Sequence, residues 1–182
     1  MQRKQTTTVT RNITFSAILL ALAFVLPYFT GQLQAIGRML SPLHIPAMLS
    51  AFVLPLPWAV LVSFIIPIIR SAIFTMPPMV PMALTMAFEM ATYALVIGLL
   101  NKRLGNDWLK IIIKLVIAMV LGRIVYIIAF YLLLLTMNGQ FNFQAVVYGL
   151  TVEGLPGIIV QLLLIPPIVL ALKKAGFTRE IA

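Results

Sequence analysis

KIIIKLVIAMVLGRIVYIIAFYLLLL, residues 110–135, decides the fold. A bilayer core of roughly 30 Å takes about 20 helical residues to cross at 1.5 Å each. This run is longer than that and carries charge only at Lys110, Lys114 and Arg123, so it reads as a membrane-spanning helix. The rest of the chain has the same character. Of its 182 residues, 62% are hydrophobic and 9% charged, whereas charged residues make up about a quarter of a soluble domain. Six spans of about 20 residues leave only short connections, so no appended soluble catalytic domain is expected.

Outward from that helix, the first dozen residues, MQRKQTTTVTRN, are polar and basic. The apolar run after them lacks a small-residue cleavage site and reads as a retained first helix at 13–29. Apolar blocks at 44–58 and 59–75 are separated by Pro55 and Pro57, which mark a tight turn. Pro77, Pro78 and Pro81 precede a helix at 82–100, and the polar connection NKRLGNDW leads into 110–135. After MNGQFNFQ a last helix is expected at 149–172, kinked at its inner end by Pro166 and Pro167. The expectation is an all-α integral membrane protein, a single domain over 1–182 built as a six-transmembrane-helix bundle.

Lys and Arg orient that bundle, because cytoplasmic connections carry their excess. Arg3, Lys4 and Arg11 precede the first helix, Lys102, Arg103, Lys110 and Lys114 surround the 101–108 connection, and Lys173, Lys174 and Arg179 follow the last helix. With six spans these ten of the thirteen fall on one side, opposite Arg38, and both termini are expected to be cytoplasmic. The net charge of +9 is therefore read as topology rather than as a nucleic-acid footprint.

Most enzyme chemistry is excluded. There is no cysteine and one histidine, so neither a thiolate nor a zinc site can be built, and no metal or cofactor is expected. GxxxxGK[ST], HExxH and GxSxG are absent, which removes a P-loop ATPase and weakens protease and lipid-transferase readings. Met76, Met79, Met82, Met86 and Met90 are read as adaptable apolar filling rather than a metal path.

The informative residues are charges inside the apolar helices: Arg70, Glu89, Arg123 and Glu153. Such charges cost kilocalories and should face the bundle interior, paired or around a polar cavity. At 1.5 Å per residue from the outer helix ends, Glu153 lies roughly 6 Å deep, Arg70 roughly 8 Å, Glu89 roughly 12 Å and Arg123 roughly 20 Å. Glu89 with Arg123 fits an internal ion pair as well as a ligand contact; Arg70 and Glu153, near the mouth, are read as ligand contacts. Glu153, Gly157 and Gln161 recur every four residues, as do Thr85, Glu89 and Tyr93, while Tyr126 stands near Arg123, so the three helices are expected to present polar stripes. Each such residue also suits an interhelical hydrogen bond. His44, in SPLHIP, suits a cavity rim or a helix-start hydrogen bond, and as a base it would need an orienting partner. On the first helix Ala17 and Ala21 form an AxxxA pair that lets another helix come close, from inside the bundle or from a separate subunit.

These features together resemble the substrate-binding (S) components of energy-coupling factor transporters. The resemblance rests on Ala17 and Ala21, SPLHIPAMLSAF at 41–52, TMPPMVPMALTMAFEMATYALVIGLL at 75–100, GRIVY at 122–126 and LPGIIVQLLLIPP at 155–167. The first two long segments point to the branch that includes folate, pantothenate and cobalamin carriers. Ser50, Ala51 and Pro55 stand where the family often carries glycines. The resemblance implies a binder open to the outside of a bacterial cell membrane, with a pocket formed by the last three helices and the outer loops. It also implies as partners a vitamin ligand, membrane lipid, a transmembrane coupling subunit (EcfT-like) that grips Ala17 and Ala21, and two cytoplasmic ATPases (EcfA-like). Arginines for a carboxylate, with hydroxyls and Gln161 for amide and hydroxyl groups, place pantothenate first. Cobalamin, folate and pyridoxine-type ligands are the alternatives, and an intramembrane lipid-modifying enzyme or a scaffold subunit are the readings from other classes.

Overall fold

A computed structural model describes residues 2–29, 41–137, 139 and 142–178. Arg38 and Arg179, counted in the charge pattern, lie outside the described residues. Those described form helices α1 (Gln2–Phe29), α2 (His44–Val53), α3 (Leu56–Phe74), α4 (Leu84–Asn101), α5 (Trp108–Thr136), α6 (Phe143–Tyr148) and α7 (Leu155–Lys174). Turns lead into two of them: Met79–Ala83, with Val80 extended, enters α4, and the wide turn Gly149–Glu153 precedes α7.

Among the described residues, five stretches are long and apolar enough to cross a membrane: Thr8–Pro27 of α1, α3, Met79–Asn101, α5 and α7. The segment expected as a helix at 44–58 is different. Leu54 is extended at the end of α2, and Pro55, with its φ of −58° set by the ring, opens α3. This leaves α2 ten residues, about 15 Å, which is half a bilayer core. All ten are buried, with α1, α3, α4 and α7 around them. A helix that is mostly apolar on every side belongs in an interior, and α2 is packed there by four of the other helices.

Polar atoms inside this apolar body are matched to one another, as burial requires. Ser50 on α2 and Ser63 on α3 bring their hydroxyls within 3.0 Å, and both donate to the Ala47 carbonyl, at 2.6 and 3.1 Å. Ser63 therefore ties α3 to α2 through the Ala47 carbonyl, beside Ser50. At the opposite end from His44, Lys114 is fully buried and is not a solvated topology charge. Its ammonium donates to Asn101 Oδ1 at 2.7 Å, Asn106 Oδ1 at 2.8 Å and the Gly105 carbonyl at 3.1 Å. Asn101 in turn donates to the Ala51 carbonyl at 2.9 Å. This cage joins α5, the end of α4 and α2. Beside it the exposed Asp107 lies 2.7 Å from Lys110, whose hydrogen bond and charge hold that carboxyl below the usual carboxylate range. Arg11 closes the same end by donating to the Phe177 carbonyl at 3.1 Å, while Phe15 and Phe177 meet edge to face.

Candidate functional site

Glu89 is the centre of the polar interior. It lies on α4 with its side chain 1% exposed, and three neighbours reach it from three helices. Tyr93, one turn on along α4, donates to Oε1 at 2.5 Å. Arg123 of α5 brings Nη1 to 3.1 Å from the same oxygen. His44, the first residue of α2, brings Nε2 to 3.3 Å from Oε2. The ion pair expected between Glu89 and Arg123 is therefore formed, and the orienting partner that His44 needs is Glu89.

On its other side, His44 Nδ1 lies 3.2 Å from the Ser41 carbonyl. The Ser41 carbonyl extends the network, since it also accepts from the His44 backbone N–H at 3.0 Å and from Gln161 Nε2 of α7 at 3.4 Å. Four helices, α2, α4, α5 and α7, thus meet at one buried polar chain from Gln161 to Arg123.

Two glycines give Arg123 its place. A Cβ on Gly122, the preceding residue, would overlap the Tyr93 ring, so the bare backbone there is what lets α4 come this close to α5. A Cβ on Gly154, just before α7, would stand 3.3 Å from Arg123 Nη2. The guanidinium therefore lies between Glu89 on one side and the entry to α7 on the other. Its Nε is buried with no hydrogen-bond partner among the described residues. The sequence signal for Gly122 was its place beside the one deeply set arginine; for Gly154 and Ser41, which acts through its carbonyl, there was none.

The other expected residues divide. Tyr126, one turn beyond Arg123, is half-buried and stacks in parallel on Phe130, with centroids 5.8 Å apart. Arg70 is buried on α3 with its guanidinium 5.2 Å from the centre of the Phe74 ring, rather than on Glu89. The stripe of Glu153, Gly157 and Gln161 does not hold: Gly157 and Gln161 are buried and Glu153 is exposed. The reason is that α7 begins at Leu155, so the wide turn before it breaks the 100° step on which the spacing argument depends. Thr85 is buried but donates to the Pro81 carbonyl at 2.6 Å, within its own turn. Ala17 and Ala21 are both exposed, on the side of α1 away from the buried Asn12, Ser16, Leu19 and Ala23. An open cleft of about 730 Å³ lies at the far end of α7, lined by Leu170, Lys173, Lys174, Gly176 and Thr178, and holds none of the Glu89 cluster.

Comparison with curated proteins and with solved structures gives no match. A family model described as "ECF transporter, substrate-specific component" matches residues 11–169. That range takes in α2 to α6, most of α1 and α7, and every residue of the Glu89 cluster. The role is one of binding a substrate for transport rather than of catalysis, in a multi-pass membrane protein. By this match the chain belongs to the substrate-specific components of ECF transporters.

Proposed function

We propose that this chain captures an anionic, water-soluble vitamin, pantothenate first, from the outer side of a bacterial cell membrane and delivers it inward with a coupling module. The observation that carries the reading is the buried Nε of Arg123, which has no hydrogen-bond partner among the described residues. A buried polar hydrogen is costly unless an acceptor answers it. Arg123 is held at Nη1 by Glu89, and its buried Nε has hydrogen-bonding capacity to spare. A carboxylate is the planar acceptor that a guanidinium edge fits. Gln161 and Tyr126 flank the same region and suit a ligand's amide and hydroxyl groups, and Arg70 and Glu153 are included as further ligand contacts.

The proposal includes six crossings, with the segment expected at 44–58 making the second, and both termini in the cytoplasm, as the distribution of Lys and Arg favours. It includes as partners a transmembrane coupling subunit docking on Ala17 and Ala21, and two cytoplasmic ATPases. The test is isothermal calorimetry on the purified chain with pantothenate, folate, pyridoxine and cobalamin. Saturable binding of pantothenate is expected. Binding of cobalamin or uncharged pyridoxine in its place overturns the ligand assignment, and binding of none of the four overturns the vitamin reading.

A further inference from the structure

Gly122 touches no candidate ligand, yet the cluster is built on it. Tyr93 lies across its backbone, where a single added carbon would overlap the ring. From that seat the Tyr93 hydroxyl reaches Glu89 Oε1, the same oxygen that pairs with Arg123 Nη1. The two donors share one acceptor. As long as Tyr93 takes part of the negative potential of Oε1, Arg123 is held less firmly by Glu89 and keeps more of its charge for a further anion. Lifting the ring off Gly122 would remove that share and draw the guanidinium onto the carboxylate.

We propose that Gly122 is a positioning residue of the binding site, which sets the affinity for the anionic ligand by seating the Tyr93 ring and so dividing Glu89 Oε1 between Tyr93 and Arg123. The consequence for affinity rests on the proposed anionic ligand; the seating of Tyr93 does not.

Gly122→Ala tests it, with Tyr93→Phe, the double variant and Gly98→Ala beside it. Gly98 is a less tightly packed glycine of α4, where a Cβ would stand 2.6 Å from Leu56 Cδ1, and it lies nine residues from Glu89, about 13 Å along the helix. The first readout needs no ligand. Ultraviolet resonance Raman difference spectra, each background minus its Tyr93→Phe partner, isolate the Tyr93 hydroxyl among the five tyrosines. The parent should show a strong donor to a carboxylate; Gly122→Ala should lose that signature and Gly98→Ala should keep it.

The second readout is pantothenate affinity by calorimetry. Gly122→Ala and Tyr93→Phe should each weaken binding about tenfold, the scale of one charge-assisted hydrogen bond, and the double variant should be no weaker than either. An unchanged Tyr93 signature in Gly122→Ala, or losses that simply add in the double variant, overturns the positioning role. A parent that binds no pantothenate while Gly122→Ala shifts the Tyr93 signature instead overturns the ligand reading and leaves the seating of Tyr93 supported.

Discussion

Arg123 Nη1 lies 3.1 Å from Glu89 Oε1, across the contact between α4 and α5. Two charges that each cost kilocalories in an apolar bundle are thereby set against one another. The buried Nε of Arg123 stays without a hydrogen-bond partner among the described residues, and that atom is the one the proposed anion would answer.

The first prediction follows from that pairing. Arg123→Gln should lower thermal stability on the order of 3 kcal/mol, because it leaves the buried Glu89 without its cation. Adding Glu89→Gln should recover part of the loss, since two amides can hydrogen-bond where one carboxylate was stranded. Melting curves on the parent, the two single variants and the double variant decide it: a double variant at least as unstable as Arg123→Gln sinks the pairing as a source of stability.

Arg70 offers a contrast on the same ligand. It stands over Phe74 rather than on Glu89, so a contact of its own with the anion is independent of the cluster. Arg70→Gln should weaken pantothenate binding about 10-fold to 100-fold, the equivalent of about 1.5 to 3 kcal/mol. The melting temperature should fall less than in Arg123→Gln. Calorimetric titration that gives the parent's affinity removes Arg70 from the ligand's path.

Lys114 tests the opposite end of the bundle. Its ammonium answers Asn101, Asn106 and the Gly105 carbonyl. Lys114→Met would fill the space and leave those acceptors without a donor, at about 1 to 3 kcal/mol for each one that water cannot reach. The melting temperature should fall by several degrees, with ligand affinity at the outer end unchanged within twofold. A stable Lys114→Met variant would mean that the cage opens to water readily.

How much of this was legible in the sequence depends on the range of the interaction. Apolar runs close to the length of a bilayer crossing and the proline pairs placed α3, α4, α5 and α7, because span length and proline sterics are local properties. The Glu89–Arg123 pair was within reach because two lone opposite charges in neighbouring spans have few other partners. His44 was not: it meets Glu89 across 45 positions, and only the shortness of α2, which hydropathy merged with the residues around Pro55, brings it there. Lys114 misled for a related reason. Counting cations by their place in the chain treats each as solvated, whereas Asn101, Gly105 and Asn106 fold back to enclose this one. Glu153 was misplaced by a helical period carried through a turn that does not have it.

The last prediction concerns the exposed face of α1. Ala17 and Ala21 stand one turn apart, both open and on the opposite side from the buried Ser16, Leu19 and Ala23, so a large side chain at either has room in the isolated chain. Ala17→Trp and Ala21→Trp should therefore leave the melting temperature and pantothenate affinity of the solitary protein close to the parent's. Small residues matter where two helices approach closely, so the same variants should cut copurification with the coupling subunit and vitamin uptake by the full complex at least tenfold; at equal affinity for the ligand, a loss of about 1.4 kcal/mol at the docking face is enough for that. Binding and uptake measured on each variant separate the outcomes. Uptake at the parent's level places the coupling subunit elsewhere on the bundle, and a parallel loss of affinity and uptake makes this face part of the ligand site.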